Sequence, residues 1–175
     1  MFHRTLLISL AAILVLVSMA VGKEAVKMGA FSIESTAFKN SSSIPKKYTC
    51  DGKDVNPPLV IQNVPSGTKS LALIVDDPDA PVGIWVHWVV YNIDPGTREI
   101  AENSVPQGSV QGINDFNKTT YGGPCPPSGT HRYFFKLYAL DTKLDIKGKV
   151  VKRDVEKAMK GHIVGEAQTM GTYRR

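Results

Sequence analysis

Beyond residue 22 the apolar residues come in short runs, and turn formers close most of them. FSIESTAF alternates apolar and polar residues, as a half-buried strand does. PLVIQNV ends at Pro65-Ser66-Gly67, SLALIVD runs into an Asp-Pro step, and WVHWVVYNI ends at Asp94-Pro95-Gly96-Thr97. HRYFFKLYAL and IVGEAQTMGTY supply two further strands. Eleven prolines and fifteen glycines in 175 residues make turns frequent, which favours a β-rich fold over a helical bundle. One helix is expected, KRDVEKAMKGH, with Val151, Val155, Ala158 and Met159 at helical spacing and Gly161 as its stop. SSSIPKKYTCDGKDVNPP and residues 101–130 read as long irregular connections. There is no internal repeat and no sign of a second domain, and with 42% hydrophobic residues the chain can bury a core. The expectation is a mainly β, antiparallel sandwich or barrel with one late helix.

The N-terminus stands apart. MFHR is followed by TLLISLAAILVLVSMAV, which carries no charge, and Ser18-Met19-Ala20 offers the small residues a signal peptidase requires. Residues 1–22 read as a secretory signal and 23–175 as a single domain. An uncleaved anchor is the alternative, since about 20 apolar residues span a bilayer. Either reading puts the domain outside the cytoplasm, secreted or periplasmic. Disulfides persist there, so the two cysteines, Cys50 and Cys125, are expected to be bridged. Two buried free thiols are the alternative. The formal net charge is +5, with much of the excess between Lys143 and Lys160 and at Arg174-Arg175. No basic helix is interleaved with aromatics, so no nucleic-acid partner is expected. A solvated face is the plain reading of the charge, and contact with an acidic membrane surface or partner is the other.

Strand parity sorts the chemically active residues. It puts His87 on one face with Trp85, Val89 and Tyr91, and puts His131 and Tyr133 on a face with Phe135 and Leu137. Asp77 continues the parity of Leu71, Leu73 and Val75. A carboxylate ending an apolar face is costly to bury unless paired, so that face is expected to open at a rim. Turn capping is the plain reading of Asp77 and Asp79, and a satisfied core histidine that of His87 and His131. Two restricted segments, DPDAP and GGPCPPSG, adjoin these residues and point further. Prolines there fix φ, and glycines let a backbone approach a ligand. A spare amide, an imidazole N–H and the Tyr133 hydroxyl could donate together to phosphate or carboxylate oxygens. Asp77 would then orient His87 and favour its charged form.

DPDAP, the W-x-H at residues 85–87, GGPCPPSGTHRYFFKLYAL and GHIVGEAQTMGTY together resemble the phosphatidylethanolamine-binding protein family, in its bacterial and archaeal Raf-kinase-inhibitor-like branch. The resemblance covers about residues 29–173. It implies a Greek-key β-sandwich with one or two short helices and a small anion site built from the two motif loops. Carried onto this chain, Asp77, Asp79 and Pro81 match the first motif and His87 the pocket histidine. Gly123 and Pro124 match the Gly-Pro of the second motif, whose glycine amide faces the anion. His131 and Tyr133 match the HRY pair, the tyrosine hydroxyl being an anion donor. The implied function is non-enzymatic binding of a small phosphorylated or anionic ligand such as a phospholipid head group. Inhibition of a secreted serine protease is the alternative, and no cofactor is expected.

Val86 stands where many eukaryotic members carry a second histidine, and the resemblance to the bacterial and archaeal branch leaves their C-terminal extension unexpected here, which disfavours kinase regulation. The acids would repel an anion, so they are expected to hold the loop and the histidine, and to accept an ammonium if the ligand carries one. Catalysis has little support. No G-x-S-x-G elbow or H-E-x-x-H pair is present, and Cys125 lies between prolines.

Overall fold

The computed structural model describes residues 29–175, so the signal or anchor expected over residues 1–22 lies outside the described residues. Strand β4 (Ser70–Asp77) is buried along its whole length, with a sheet neighbour on each edge and a core on each face. Its neighbours are β5 (Trp85–Ile93) and β8 (Thr130–Leu140), both antiparallel to it. Beyond β8 lies β9 (Ile163–Arg174), then the short β2 (Ser42–Ser43); β7 (Val110–Gln111) flanks β5. A three-stranded sheet of β1 (Ser32–Ser35), β3 (Leu59–Gln62) and β6 (Glu99–Ile100) packs over one face. The fold is the expected mainly β sandwich.

The core between the sheets joins Ile33, Leu59 and Ile61 to Leu71, Leu73, Val75, Tyr133, Phe135 and Leu137. The opposite face of β4 and β5 is covered by Leu144, Val150 and helix α1 (Lys152–Met159) through Val155 and Met159. The helix falls where the 3.6-residue spacing puts it. Its start is fixed by Asp154, whose carboxylate accepts the Val151 amide at 3.0 Å. A 3₁₀ turn, Lys46–Tyr48, is the only other helical element among the described residues.

Strand β5 departs from simple alternation in two places. Val75 lies opposite Trp88 but Asp76 opposite Val86, so His87 is an extra, bulged residue. A second shift, between Leu71↔Ile93 and Leu73↔Val90, surrounds Asn92, which adopts φ 56°. Trp88, Val90 and Ile93 therefore face the inter-sheet core, while Val86, Val89 and Tyr91 face the helix side. This corrects the expected face: Val89 and Tyr91 do not accompany His87.

The last two residues of β4 are both buried acids, and alternation sends them to opposite faces. Asp76, with no exposure, meets Lys152 of the helix (Nζ–Oδ2 2.6 Å) and Lys136 of β8, whose Nζ lies 2.7 Å from Oδ1 without hydrogen-bond alignment and 3.0 Å from Oδ2. Cys50 and Cys125 form the expected disulfide, joining the loop after the 3₁₀ turn to the loop before β8 across 75 residues.

Two outcomes follow for stability. Closing a loop of 75 residues contributes about 4 kcal/mol by chain entropy. The Cys50→Ser/Cys125→Ser double variant should therefore lose most of that in urea unfolding, as should the reduced wild type. Asp76→Ala leaves two lysines facing an empty site and should cost about 3 kcal/mol or more, read by the same titration.

Candidate functional site

The ends of β4, β5 and β8 meet two loops at one end of the sandwich and enclose a cavity of about 310 Å³. Asp77, His87 and His131 reach it from the strands. Ala80, Pro81 and Val82 form one wall, Trp85 and Phe116 another, and Cys125, Pro126 and Pro127 a third. Two distant segments, residues 77–87 and 123–133, are thus brought side by side.

Asp77 sits at the end of the β4 face that carries Val75, and its Oδ2 accepts from His131 Nδ1 at 2.7 Å. Its Oδ1 accepts the Asp79 amide at 2.8 Å, so both oxygens are committed to holding protein groups. Asp77 is therefore the orienting partner of His131, not of His87, which corrects the expectation. Strand pairing explains it: β4 and β8 are direct neighbours with Val75 opposite Phe135, so Asp77 falls opposite Tyr133 and His131 is its diagonal neighbour on the same face.

His87 Nδ1 lies 2.6 Å from the Gly122 carbonyl, and Gly122 N donates back to the His87 carbonyl at 3.0 Å. A carbonyl only accepts, so Nδ1 carries the proton. The ring stands edge-on between Phe116 (centroids 5.3 Å apart) and Tyr133 (5.2 Å). Burial pushes its pKa below the ordinary 6.5, against the opposing pull of the Gly122 carbonyl and the Asp77 charge. The resting His87 is neutral, not charged as expected from sequence.

Tyr133 is 1% exposed, and its hydroxyl makes no hydrogen bond of good geometry. Burial holds the phenol proton far above its usual pKa; the charge and a loose contact of the Asp77 carboxylate add to this, and the Cys125 backbone opposes it. The group is a buried donor without a well-formed bond, next to residues that line the cavity.

Asp79 does not line the cavity. It clamps Arg132, taking the backbone N and Nε on Oδ2 at 2.9 and 2.8 Å and Nη2 on Oδ1 at 2.6 Å. The guanidinium bonds hold its carboxyl below the usual range. Its role is to pin the 77–82 loop to β8. Gly123 does not present its amide to the cavity either: that N–H donates to Asp54 Oδ1 at 2.6 Å. Glycine is required there because a Cβ would lie 2.5 Å from the Tyr48 carbonyl oxygen. Pro124 is buried, and its carbonyl accepts from Cys50 N at 3.1 Å. Of the expected set, Asp77, Pro81, His87 and His131 line the cavity, with Tyr133 beneath; Asp79, Gly123 and Pro124 support it from behind. The sequence reading missed Phe116, which lies in the patternless 101–130 stretch, and Trp85 as a wall, though Trp85 was visible in the W-x-H motif. Among the described residues no group of three or more His, Cys, Asp or Glu side chains is placed to hold a metal ion.

The architecture is that of a β-sandwich with a histidine-lined cavity at one end. The profile of the family described as phosphatidylethanolamine-binding protein matches residues 34–174. A UPF0098 protein of Methanothermobacter thermautotrophicus is 52% identical over 149 residues, covering 82% of this chain and 99% of the relative. One from Aquifex aeolicus is 51% identical, covering 81% and 86%. Among solved structures, a homologue of the phosphatidylethanolamine-binding protein from Chlamydia trachomatis superposes with TM-score 0.80 at 44% identity, covering 83% of this chain and 98% of that one. E. coli YbcL, described as a new member of the mammalian family, gives 0.78 at 31%, covering 84% and 99%. The chain belongs to the phosphatidylethanolamine-binding protein family.

The pKa of His87 has a thermodynamic consequence. Its folded value lies below the unfolded one, so it does not penalise the native state above about pH 6.5. As pH falls from there the unfolded chain takes up the proton first, and stability is lost down to the folded pKa. Urea unfolding between pH 7 and pH 5 should show this slope, and His87→Asn, which cannot titrate, should flatten it.

Proposed function

We propose that the chain is a non-enzymatic binding protein whose cavity takes a small phosphorylated or otherwise anionic group, such as a phospholipid head group. The observation that carries this is the Tyr133 hydroxyl, buried, protonated and without a well-aligned hydrogen bond, beside His87 and His131. An unsatisfied buried donor of this kind is costly unless an acceptor arrives. Asp77 is occupied on both oxygens and Asp79 is neutralised by Arg132, so neither presents an open carboxylate to an incoming anion.

His131 Nδ1–H is directed at Asp77, which leaves Nε2 as the ring atom that can face a ligand. The apolar walls, Trp85, Phe116, Val82 and the two prolines, suit an ester carrying a hydrocarbon portion more than bare phosphate. The Cys50–Cys125 bridge supports an exported, extracytoplasmic protein.

Titration with phosphorylethanolamine, followed by imidazole NMR, tests the reading. Resonances of His131 and His87 should both move. Tyr133→Phe, which deletes the donor but keeps the ring, should weaken binding by about tenfold or more. Unmoved imidazoles at saturating ligand would remove the proposal.

A further inference from the structure

We propose that the face formed by the 80–84 loop and helix α1 docks onto anionic lipid membranes. Val82 and Ile84, at the loop tip between β4 and β5, are 78% and 56% exposed, the most exposed large hydrophobics described. Ile84 shares a shallow groove with the half-exposed Val151 and with Arg153 at the start of α1. The apolar tip thus adjoins the basic segment directly.

That segment holds most of the chain's surplus charge. Between Lys143 and Lys160 lie seven basic and three acidic residues, in a protein of net charge +5. Of the nearby carboxylates, Asp145 pairs with Lys147 and Glu156 lies 3.6 Å from Lys152, while Asp115 and Asp154 accept the Val86 and Val151 amides and keep their charge. The seven cations of the segment still outnumber its three acids. Arg153 and Lys157, by contrast, are exposed and have no acidic partner within 4 Å among the described residues. They are one turn apart, so they share the side of the helix opposite buried Val155 and Met159.

Uncovered aliphatic side chains on a protruding tip, beside unpaired cations, match the two halves of an interfacial membrane site. The aliphatics enter the head-group layer and the cations meet lipid phosphates. An acidic protein would answer the cations but leave the convex aliphatic tip without a receiving pocket. Val82 also lines the cavity, so docking on this face turns the cavity mouth towards the lipid head groups. The docking does not depend on what the cavity binds.

Residues 29–175 suit the test, because they hold the whole family match, residues 34–174. Sedimentation with vesicles of phosphatidylcholine and phosphatidylglycerol should exceed that with pure phosphatidylcholine, and should fall as salt is raised. Arg153→Glu/Lys157→Glu should weaken partition by about thirtyfold or more, at about 1 kcal/mol per cation lost near the surface. Ile84→Asp should also weaken it, and in Ile84→Trp the new indole should shift to the blue on vesicle addition. Equal partition onto both vesicle types would overturn the proposal. So would sensitivity to the charge reversal alone with no effect at Ile84, which would indicate an acidic protein partner instead. Loss of phosphorylethanolamine binding in Tyr133→Phe with vesicle binding intact would support it, since that separates this surface from the cavity.

Discussion

A strand buried on both faces ends here in two consecutive carboxylates, and most of the molecule's tertiary logic answers that fact. An isolated charge in an apolar interior is prohibitively costly, so each acid must find a cation or a hydrogen-bond donor on its own side of the sheet. Asp76 finds Lys136 and Lys152, which fastens helix α1 to the sheet. Asp77 finds His131, which brings an imidazole to the cavity in a fixed tautomer. Asp79, one proline further on, reaches Arg132 and ties the loop down. Three acids within four residues thus anchor a helix, an imidazole and a loop, through β8 and helix α1.

Part of this is legible in the residues. Alternation places Asp77 with Val75 and His131 with Tyr133, and the structure keeps those faces, because β4 and β8 pair without interruption near the site. The assignment fails in β5. A bulge carries no residue signature in WVHWVVYNI, and one inserted residue exchanges the faces of everything after it. The partner of Asp77 was misread for a related reason: loop proximity in sequence suggested His87, whereas the ladder delivers His131 from 54 residues away. The Gly123 amide could not be placed because its occupant, Asp54, sits in a loop with no periodic pattern. Asp76 was visible as an acid, but its role depends on Lys152, whose inward turn only the packed helix reveals.

The cavity is assembled from parts that do not support themselves locally. Its proline wall hangs from the disulfide at Cys125, its aromatic wall from Phe116 in a loop organised by Asn114, whose amide group donates to the carbonyls of His87 and Thr120 and accepts from two backbone N–H groups. Burial of polar side chains such as Asn114 is expected only where every group is satisfied, and here it is a loop, not a strand, that they order. The family match, residues 34–174, spans this whole assembly.

The bulge at His87 also sets what kinds of inherited change the strand can absorb. Swapping one side chain for another leaves the register alone. Losing one codon between Trp85 and Trp88 would remove the extra residue and leave plain alternation, with Trp85, Trp88 and Val90 on their present face. A single residue would then stand between the tryptophans, on the helix side, and β5 would bring no imidazole to the cavity. The length of this strand, as much as its letters, decides whether a ring nitrogen arrives there.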